Sequence, residues 1–253
     1  MGKGRGSFSL SLAIAKAGLK LRNEGSYLGV LWYLLNPLLM FTLLLLIFSD
    51  RLGGGIPSYP LYLLLGIIIF NFFQQTTREA TRLIIRDFRG VLRSINFSRE
   101  ALIGSIVLKG LFSHLFEVIL FIAFLLIFRH SLIGMLAYPI ILFFLYIFVF
   151  GCCLILSALT VYFVDLKNIW VFASTLIWLG TPIFYAIGGQ TRLFYFNLLN
   201  PLYYFITIAR ELIIYNKLPE LWMLAGGACY SLLFLIIGLL IFGKLKIKFA
   251  EMV

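Results

Sequence analysis

Long apolar runs alternate with short polar segments along most of the chain. A helix needs about 20 apolar residues to cross a bilayer, and six runs approach or exceed that length. They lie at about 28–49, 61–77, 101–128, 134–163, 169–187 and 219–243. No polar stretch between them is long enough for a separate soluble domain. The pattern predicts an all-α integral membrane protein, with residues 1–253 forming a single transmembrane domain of six helices.

The segment before the first run has a different pattern. Over residues 8–24, Lys16 and Lys20 interrupt the apolar positions, which is unlike the compact core of a cleavable signal peptide. Four apolar residues share one helical face: Leu10, Ile14, Ala17 and Leu21. The spacing predicts an amphipathic helix that lies in the cytoplasmic membrane interface.

Residues 188–218 are too polar to span a bilayer and too rich in aromatic residues for an ordinary loop. Two moderately apolar stretches lie on either side of Asn200-Pro201. They predict a short helical hairpin that enters the outer leaflet between spans five and six. Irregular backbone is tolerated at that depth only where protein or a water-filled cavity covers it.

Charge gives the expected orientation. The chain is 62% hydrophobic and 12% charged, whereas soluble domains are about a quarter charged. With six spans and a cytoplasmic N-terminus, 16 of the 21 Lys and Arg residues fall on the cytoplasmic side, as the positive-inside rule requires. Both termini are therefore expected in the cytoplasm. The net charge of +11 is explained by the membrane, so we expect no nucleic-acid partner.

A basic segment at residues 78–109 separates spans two and three. It carries seven cations: Arg78, Arg82, Arg86, Arg89, Arg93, Arg99 and Lys109. Such a segment suits a cytoplasmic protein partner. For any single arginine, orientation of the chain or binding of anionic lipid is an equally good explanation.

Few residues suggest chemistry within the chain. The stretch from Gly238 to Lys244 has the spacing of a phosphate-binding loop, but it lacks the following Ser or Thr and a preceding strand. His114 and Glu117 share a helical face in span three and suggest a metal site, a proton relay or a polar contact inside the bundle. The polar contact is favoured because no third ligand is evident. We expect no metal, no cofactor and no catalytic residue in this chain.

Aromatic residues make up 17% of the chain. Most phenylalanines suit lipid contact or core packing, and tyrosines and tryptophans near span ends suit the interfacial belt. A subset beside prolines and in the hairpin is predicted to line a translocation channel, where ring faces would stack on sugars without selecting one of them. These residues are Trp32, Tyr33, Trp178, Phe184, Tyr185, Tyr203 and Tyr204.

Four pieces of the chain, in order, carry a family resemblance. Residues 29–37 read GVLWYLLNP and fit the pattern G-x-x-W-x-x-x-x-P, after which comes the basic segment. VYFVDL at 161–166 is followed by TPIFY at 181–185, and Asn200-Pro201 precedes Arg210. Together they resemble the membrane permease of type-2 ABC exporters, in the branch that exports O-antigen, capsule or teichoic acid polysaccharides. The resemblance covers nearly the whole chain.

The resemblance implies a homodimer in the bacterial cytoplasmic (inner) membrane. An ATP-binding cassette subunit, which binds ATP and magnesium, would dock under each permease, and the substrate would be a polysaccharide linked to polyprenyl diphosphate. Residues 85–98 would form the cytoplasmic coupling segment, although Asn96-Phe97-Ser98 lacks the proline that often follows the aromatic residue in the family. The expected contacts with the partner are Arg86, Asp87, Phe88, Arg89 and Arg93.

Two alternatives remain open on the same residues. One is a type-2 ABC permease for a drug or a simple lipid, and the other is an ATP-independent channel or flippase. A membrane glycosyltransferase would need a group of carboxylates on one face, whereas Asp50, Asp87 and Asp165 fall at different span ends.

Overall fold

The computed structural model describes residues 9–18, 29–87 and 99–245, and the regular secondary structure in this part of the chain is helical. Residues 9–18 form helix α1. The following helices are α2 (Trp32–Leu52), α3 (Tyr59–Asp87), α4 (Arg99–Ile127), α5 (Tyr138–Tyr162), α6 (Leu166–Gly180), α7 (Thr191–Leu198), α8 (Pro201–Ile213) and α9 (Leu221–Leu245). Short 3₁₀ turns precede α2 and α5 and follow α2.

Five of these helices are long and apolar enough to cross a membrane, namely α2, α3, α4, α5 and α9. The predicted all-α integral membrane fold is thereby confirmed. The sixth predicted span, 169–187, is only partly helical, because α6 ends at Gly180 after 15 residues. At 1.5 Å per residue, α6 is about 22 Å long, which is shorter than the hydrocarbon core of about 30 Å. The count of six spans therefore stays a prediction.

Helix α3 forms the centre of the bundle. Its most apolar window is 78% buried, compared with 22% for α2 and 17% for α9. Every residue from Leu63 to Phe70 is buried. This helix contacts α2, α4, α5, α6 and α8. Such a position explains why the first half of α3 is hydrophobic all round, whereas the outlying helices bury one side only.

Helices α5 and α9 cross at backbone contact. A Cβ atom on Gly151 would lie 2.5 Å from the carbonyl group of Phe234, and one on Gly238 would lie 2.6 Å from the carbonyl oxygen of Gly151. Ser231 adds a hydrogen bond from its Oγ to the carbonyl oxygen of Phe144, at 2.9 Å. Small residues allow membrane helices to approach closely, and the resulting packing holds this pair together.

Helix α1 lies against the beginning of α4. The Oγ of Ser11 donates to the carbonyl oxygen of Ala101 at 2.8 Å, and Ser11 and Ala15 are buried. The helical part of the predicted interfacial helix 8–24 thus includes residues 9–18, and the rest of that range lies outside the described residues. Its location in the membrane interface stays a prediction.

Helices α7 and α8 occupy the region predicted as an outer hairpin, 188–218. They meet at Leu199 and Asn200, and Pro201 begins α8 at a position where its missing N–H costs nothing. The two helices on either side of Asn200-Pro201 agree with the sequence pattern. Their depth in the membrane stays a prediction.

Candidate translocation site

The helical chain is interrupted between α6 and α7, and this break lies where α3, α6 and α8 meet. Pro182 has no N–H and disfavours helical geometry at the residue before it. Thr181 is accordingly extended, with φ −81° and ψ 135°, and residues 181–190 contain no helix. Non-helical backbone beside membrane-spanning helices needs internal partners for its polar groups.

Arg210 supplies several of those partners from α8. Its guanidinium donates to the carbonyl oxygen of Pro182 at 2.6 Å and to that of Ile183 at 2.8 Å. It also donates to the carbonyl oxygen of Tyr62 on α3, from Nε at 3.2 Å and from Nη2 at 3.0 Å. The side chain is 3% exposed, and its charge is balanced by carbonyl dipoles rather than by a carboxylate within the described residues.

Tyrosine hydroxyls donate hydrogen bonds to the next two carbonyl oxygens of the break. Tyr59 donates to the carbonyl oxygen of Phe184 at 2.9 Å, and Tyr62 donates to that of Tyr185 at 2.8 Å. The hydroxyl of Tyr185 in turn donates to the carbonyl oxygen of Gly180 at 2.7 Å. Every carbonyl from Pro182 to Tyr185 therefore accepts a hydrogen bond from a side chain of α3 or α8. Side chains of α3 and α8 therefore stabilise the break.

Asn200 connects the predicted hairpin to the beginning of the break. Its side-chain oxygen accepts from the N–H of Leu202 at 3.1 Å and caps α8, while its Nδ2 donates to the Oγ1 of Thr181 at 2.8 Å. Thr181 closes the link by donating to the carbonyl oxygen of Ile177, at 2.6 Å. One side chain thus joins the beginning of α8 to the end of α6.

A polar cavity of about 270 Å³ lies beside the break. Its lining includes Tyr62, Pro182, Tyr203, Thr207, Arg210, Glu211, Tyr215 and Lys217. Burial raises the pKa of the Glu211 carboxyl, nearby Glu220 raises it further, and Lys217 opposes the shift. Burial also raises the pKa of Tyr215, although the charge of Arg210 works against it.

The predicted channel aromatics fall into three groups, the first of which surrounds Phe184. Trp178 packs against Phe184, with ring centroids 5.4 Å apart, and Phe184 joins α2 by stacking on Phe48 at 5.0 Å. Tyr185 belongs to the same group through its edge contact with Phe184. These residues lie where α2, α6 and the break meet, so the structure brings together part of the predicted set.

The other two groups of predicted aromatics are separate from Phe184, although Tyr203 lines the cavity beside the break. Tyr203 and Tyr204 are buried in α8, where Tyr204 packs against Trp222 of α9. Trp32 and Tyr33 begin α2, about 24 Å from Phe48 at 1.5 Å per residue. Trp32 is 42% exposed, whereas Tyr33 is buried. The three groups therefore do not form one continuous surface within the described chain.

His114 and Glu117 lie in a polar contact between helices. The Nδ1 of His114 is 3.3 Å from a carboxylate oxygen of Glu117, and its Nε2 is 2.7 Å from the hydroxyl of Tyr138. Asn71 of α3 also hydrogen-bonds to Glu117. More than one turn nearer the beginning of α4, Lys109 donates to Glu79 at 2.6 Å. Within the described residues no group of three ligands suits a metal ion, and these contacts join α3, α4 and α5.

Comparison with known proteins identifies the family. A family model described as ABC-2 type transporter matches residues 10–214, from α1 to the end of α8. The chain belongs to the ABC-2 type transporter family. This ABC-2 chain is similar to two proteins of Klebsiella pneumoniae, each named O-antigen export system permease protein RfbA, at 30% and 28% identity over 96% of this chain and 95% of theirs. A Myxococcus xanthus protein of the same name is 25% identical over 96% of this chain and 94% of its own length.

The predicted coupling residues are only partly placed in this ABC-2 transporter chain. Arg86 and Asp87 lie in the last turn of α3. Phe88, Arg89 and Arg93 lie outside the described residues. The assignment of 85–98 as a coupling segment therefore stays a prediction.

Two side chains of this ABC-2 chain, those of Arg78 and Arg210, make contacts that the sequence analysis missed. Arg78, counted there only as part of the basic segment, donates from Nε to the Oγ of Ser174 at 3.0 Å and from Nη2 to the carbonyl oxygen of Val171 at 3.2 Å. It thereby fixes the middle of α6 to α3. Arg210 enters the sequence analysis only through the family resemblance, yet it is the main side chain that holds the break. The signal for Arg210 is its place on the buried face of α8, which it shares with Tyr203, Ile206 and Ile213.

Proposed function

We propose that this chain is the membrane permease of an ATP-driven exporter that carries a polysaccharide across the bacterial inner membrane. The observation that carries the proposal is the similarity, over nearly the full length of both chains, to proteins named as O-antigen export permeases. Membership of the ABC-2 family and five helices able to span a membrane support it independently. The glycan is proposed to be attached to polyprenyl diphosphate during export.

In the proposed orientation, both termini are cytoplasmic and the chain crosses the membrane six times. Span five consists of α6 together with the extended residues after Gly180. Helices α7 and α8 enter the outer leaflet and turn back toward α9. The hydrogen bonds that Arg210, Tyr59 and Tyr62 donate to the break support this arrangement, because they satisfy backbone groups that lipid could not.

An ATP-binding cassette subunit is proposed to dock on the cytoplasmic side, where it would bind ATP and Mg²⁺. The contact region would be residues 85–98 together with α1. Helix α1 is bonded to the beginning of α4 through Ser11, and α3 and α4 flank the proposed coupling segment. If the partner displaced this region, the movement would be transmitted to α3, the most buried of the five candidate spans. From α3 it would be transmitted to α6 through Arg78.

The translocation path is proposed to lie between two copies of the permease, lined by α2 and α6. Each of these helices presents an apolar row that is not covered within the described chain. The rows comprise Leu39, Leu43 and Leu46 on α2, and Phe172, Leu176 and Leu179 on α6. The aromatic group around Trp178 and Phe184 lies at the junction of the two helices. Ring faces there would pack against sugars as the glycan passes.

The test is deletion of the gene in its native host, followed by analysis of surface glycan and of lipid-linked glycan in the inner membrane. The proposal predicts loss of the surface polysaccharide and accumulation of the lipid-linked form on the cytoplasmic leaflet, with both effects reversed by the wild-type gene. Unchanged surface glycan together with altered drug or lipid transport would instead favour a different type-2 ABC permease. Export that continues after ATP depletion would favour an ATP-independent flippase.

A further inference from the structure

The cavity beside the break combines three aromatic rings with polar side chains. Tyr62 of α3, Tyr203 of α8 and Tyr215 after α8 all line it. Tyr62 is held rigidly, because the guanidinium carbon of Arg210 lies 3.3 Å from its ring centroid and its hydroxyl is hydrogen-bonded to the carbonyl oxygen of Tyr185. At about 270 Å³, the cavity is just below the usual range for small-molecule sites, about 300–1,000 Å³.

The polar lining includes the carboxylate of Glu211. The Oε2 of this carboxylate is buried and accepts no hydrogen bond from any described residue. A buried acceptor left unpaired is costly. A small rotation of the carboxylate would bring this oxygen to the cavity, where a ligand with hydroxyl or N–H donors would satisfy it.

The remaining polar groups complement that acceptor. Lys217 adds an ammonium donor and Thr207 adds a hydroxyl. Arg210 contributes charge but few free donors, because four of its hydrogen bonds go to backbone carbonyls. The lining thus combines ring faces with one acceptor and several donors.

We propose that this cavity is a subsite that binds one sugar residue of the exported glycan. The inference rests on the proposed function and adds to it a defined site outside the path between α2 and α6. A sugar ring offers apolar C–H faces to the tyrosines, hydroxyl donors to Glu211 and hydroxyl acceptors to Lys217. A hydrocarbon chain would leave Glu211 unpaired. The carboxylate and the rings together favour a hydroxylated ring.

The position of the cavity gives the subsite a role in export. Its wall includes Pro182 and Ile187 of the break and residues of α8. In the proposed orientation this is the outer side, so a sugar bound here has left the path and is held by the segment that closes it. Binding at this point would disfavour backward movement of the chain.

The test uses a cysteine inside the cavity of the complete exporter in its host. Thr207→Cys is introduced after replacing Cys152, Cys153 and Cys229 by alanine, and a membrane-impermeant maleimide is applied to cells with a permeabilised outer membrane. The probe is the host's own glycan, compared between a strain that makes it and one that does not. We expect labelling to be several-fold slower in the strain that makes glycan. Leu218→Cys, which is exposed on the same side and outside the cavity, should be labelled equally in both strains.

A second cysteine position and a substitution of Glu211 test the subsite if Thr207→Cys cannot be used. Ala186→Cys, also in the lining, replaces Thr207→Cys if the latter abolishes export. Glu211→Gln should slow export by about tenfold, the loss expected for a hydrogen bond to a charged group. Glu220→Gln, in the exposed loop between α8 and α9 and outside the cavity lining, should not. The amount of exporter complex should be equal in both variants.

Several results would overturn the subsite. They are a cavity cysteine that is never labelled, labelling at the same rate with and without glycan, protection that persists in the strain without glycan, and normal export by Glu211→Gln. In all of these cases a deletion strain that still loses its surface glycan would leave the proposed function intact. A deletion strain that keeps its surface glycan would reject the proposed function itself.

Discussion

The guanidinium of Arg210 covers the ring of Tyr62 at 3.3 Å and also donates to that residue's own carbonyl oxygen. One side chain of α8 thereby holds the beginning of α3 and the broken segment after α6 together. Gly66, one turn further along α3, makes room for it, since a Cβ there would lie 2.7 Å from Nη2 of Arg210. This contact joins three parts of the permease that are distant in sequence.

Replacing Arg210 with lysine should weaken the fold. A lysine keeps the charge but loses the planar fork and the stacking on Tyr62, so at least two carbonyls of the break lose their donors. We expect a loss of about 2–4 kcal/mol in the free energy of unfolding, measured by denaturation of the detergent-solubilised protein. Arg192→Lys, at an exposed position on α7, is the control and should have no effect. If Arg210→Lys were as stable as the wild type, the contacts of Arg210 with Tyr62 and the break would not contribute to stability.

A methyl group at Gly151 should separate α5 from α9. The added Cβ would meet the backbone of Phe234 at 2.5 Å, and backbone cannot rotate away as a side chain can. We expect Gly151→Ala to cost about 1–3 kcal/mol, as overpacking generally does, in the same denaturation assay. Gly243→Ala is the matched change on α9, where nothing lies within 4 Å of the new atom, and it should be neutral or slightly stabilising. If both variants lost the same free energy of unfolding, α5 and α9 would not cross as closely as the structure shows.

Removing Arg78 should uncouple α6 from α3. Arg78→Met loses the hydrogen bonds to Ser174, Val171 and Thr175, which connect the middle of α6 to the central helix. Export should fall several-fold, while the amount of permease bound to its ATP-binding partner stays the same, because the partner is proposed to contact 85–98. The same change at Arg82, one turn on and exposed, should leave export normal. A loss of complex in Arg78→Met would place this residue in the partner contact instead.

The ion pair between Lys109 and Glu79 should show coupling in a double-mutant cycle. Lys109→Met alone leaves a partly buried carboxylate without its cation, which costs more than removing both charges. Combining Glu79→Gln with Lys109→Met should therefore recover part of the stability lost in the single Lys109→Met variant, with a coupling energy of about 0.5–3 kcal/mol. Additive effects would mean that the 2.6 Å contact contributes nothing.

The spans and their order could be predicted from hydropathy because a lipid environment demands long apolar helices. The same pattern extends the fifth span to 187, beyond the end of α6 at Gly180, because the apolar stretch continues after Pro182 although the helix does not. Hydropathy reports transfer from water into lipid, whereas the break depends on donors from α3 and α8 that are distant in sequence. Arg210 illustrates the same limit, since its burial is possible only through carbonyl groups 28 and 148 residues away along the chain.

The channel aromatics show where sequence reasoning works less well. Their selection rested on nearness to prolines and to the hairpin, which correctly grouped Trp178, Phe184 and Tyr185. It also included Tyr33, which instead stacks on Phe116 of α4 at 6.0 Å. Local sequence does not tell which face of α2 packs on α4, because both faces of that helix are apolar.

The most direct test of the account is purification of the permease from its native membrane in a mild detergent, with identification and quantification of the proteins that come with it. The account predicts one ATP-binding cassette subunit for each permease chain. It also predicts that replacing Arg89 and Arg93 by glutamate lowers that ratio without dissociating the permease dimer. An intact permease dimer with no ATP-binding protein attached would contradict the account.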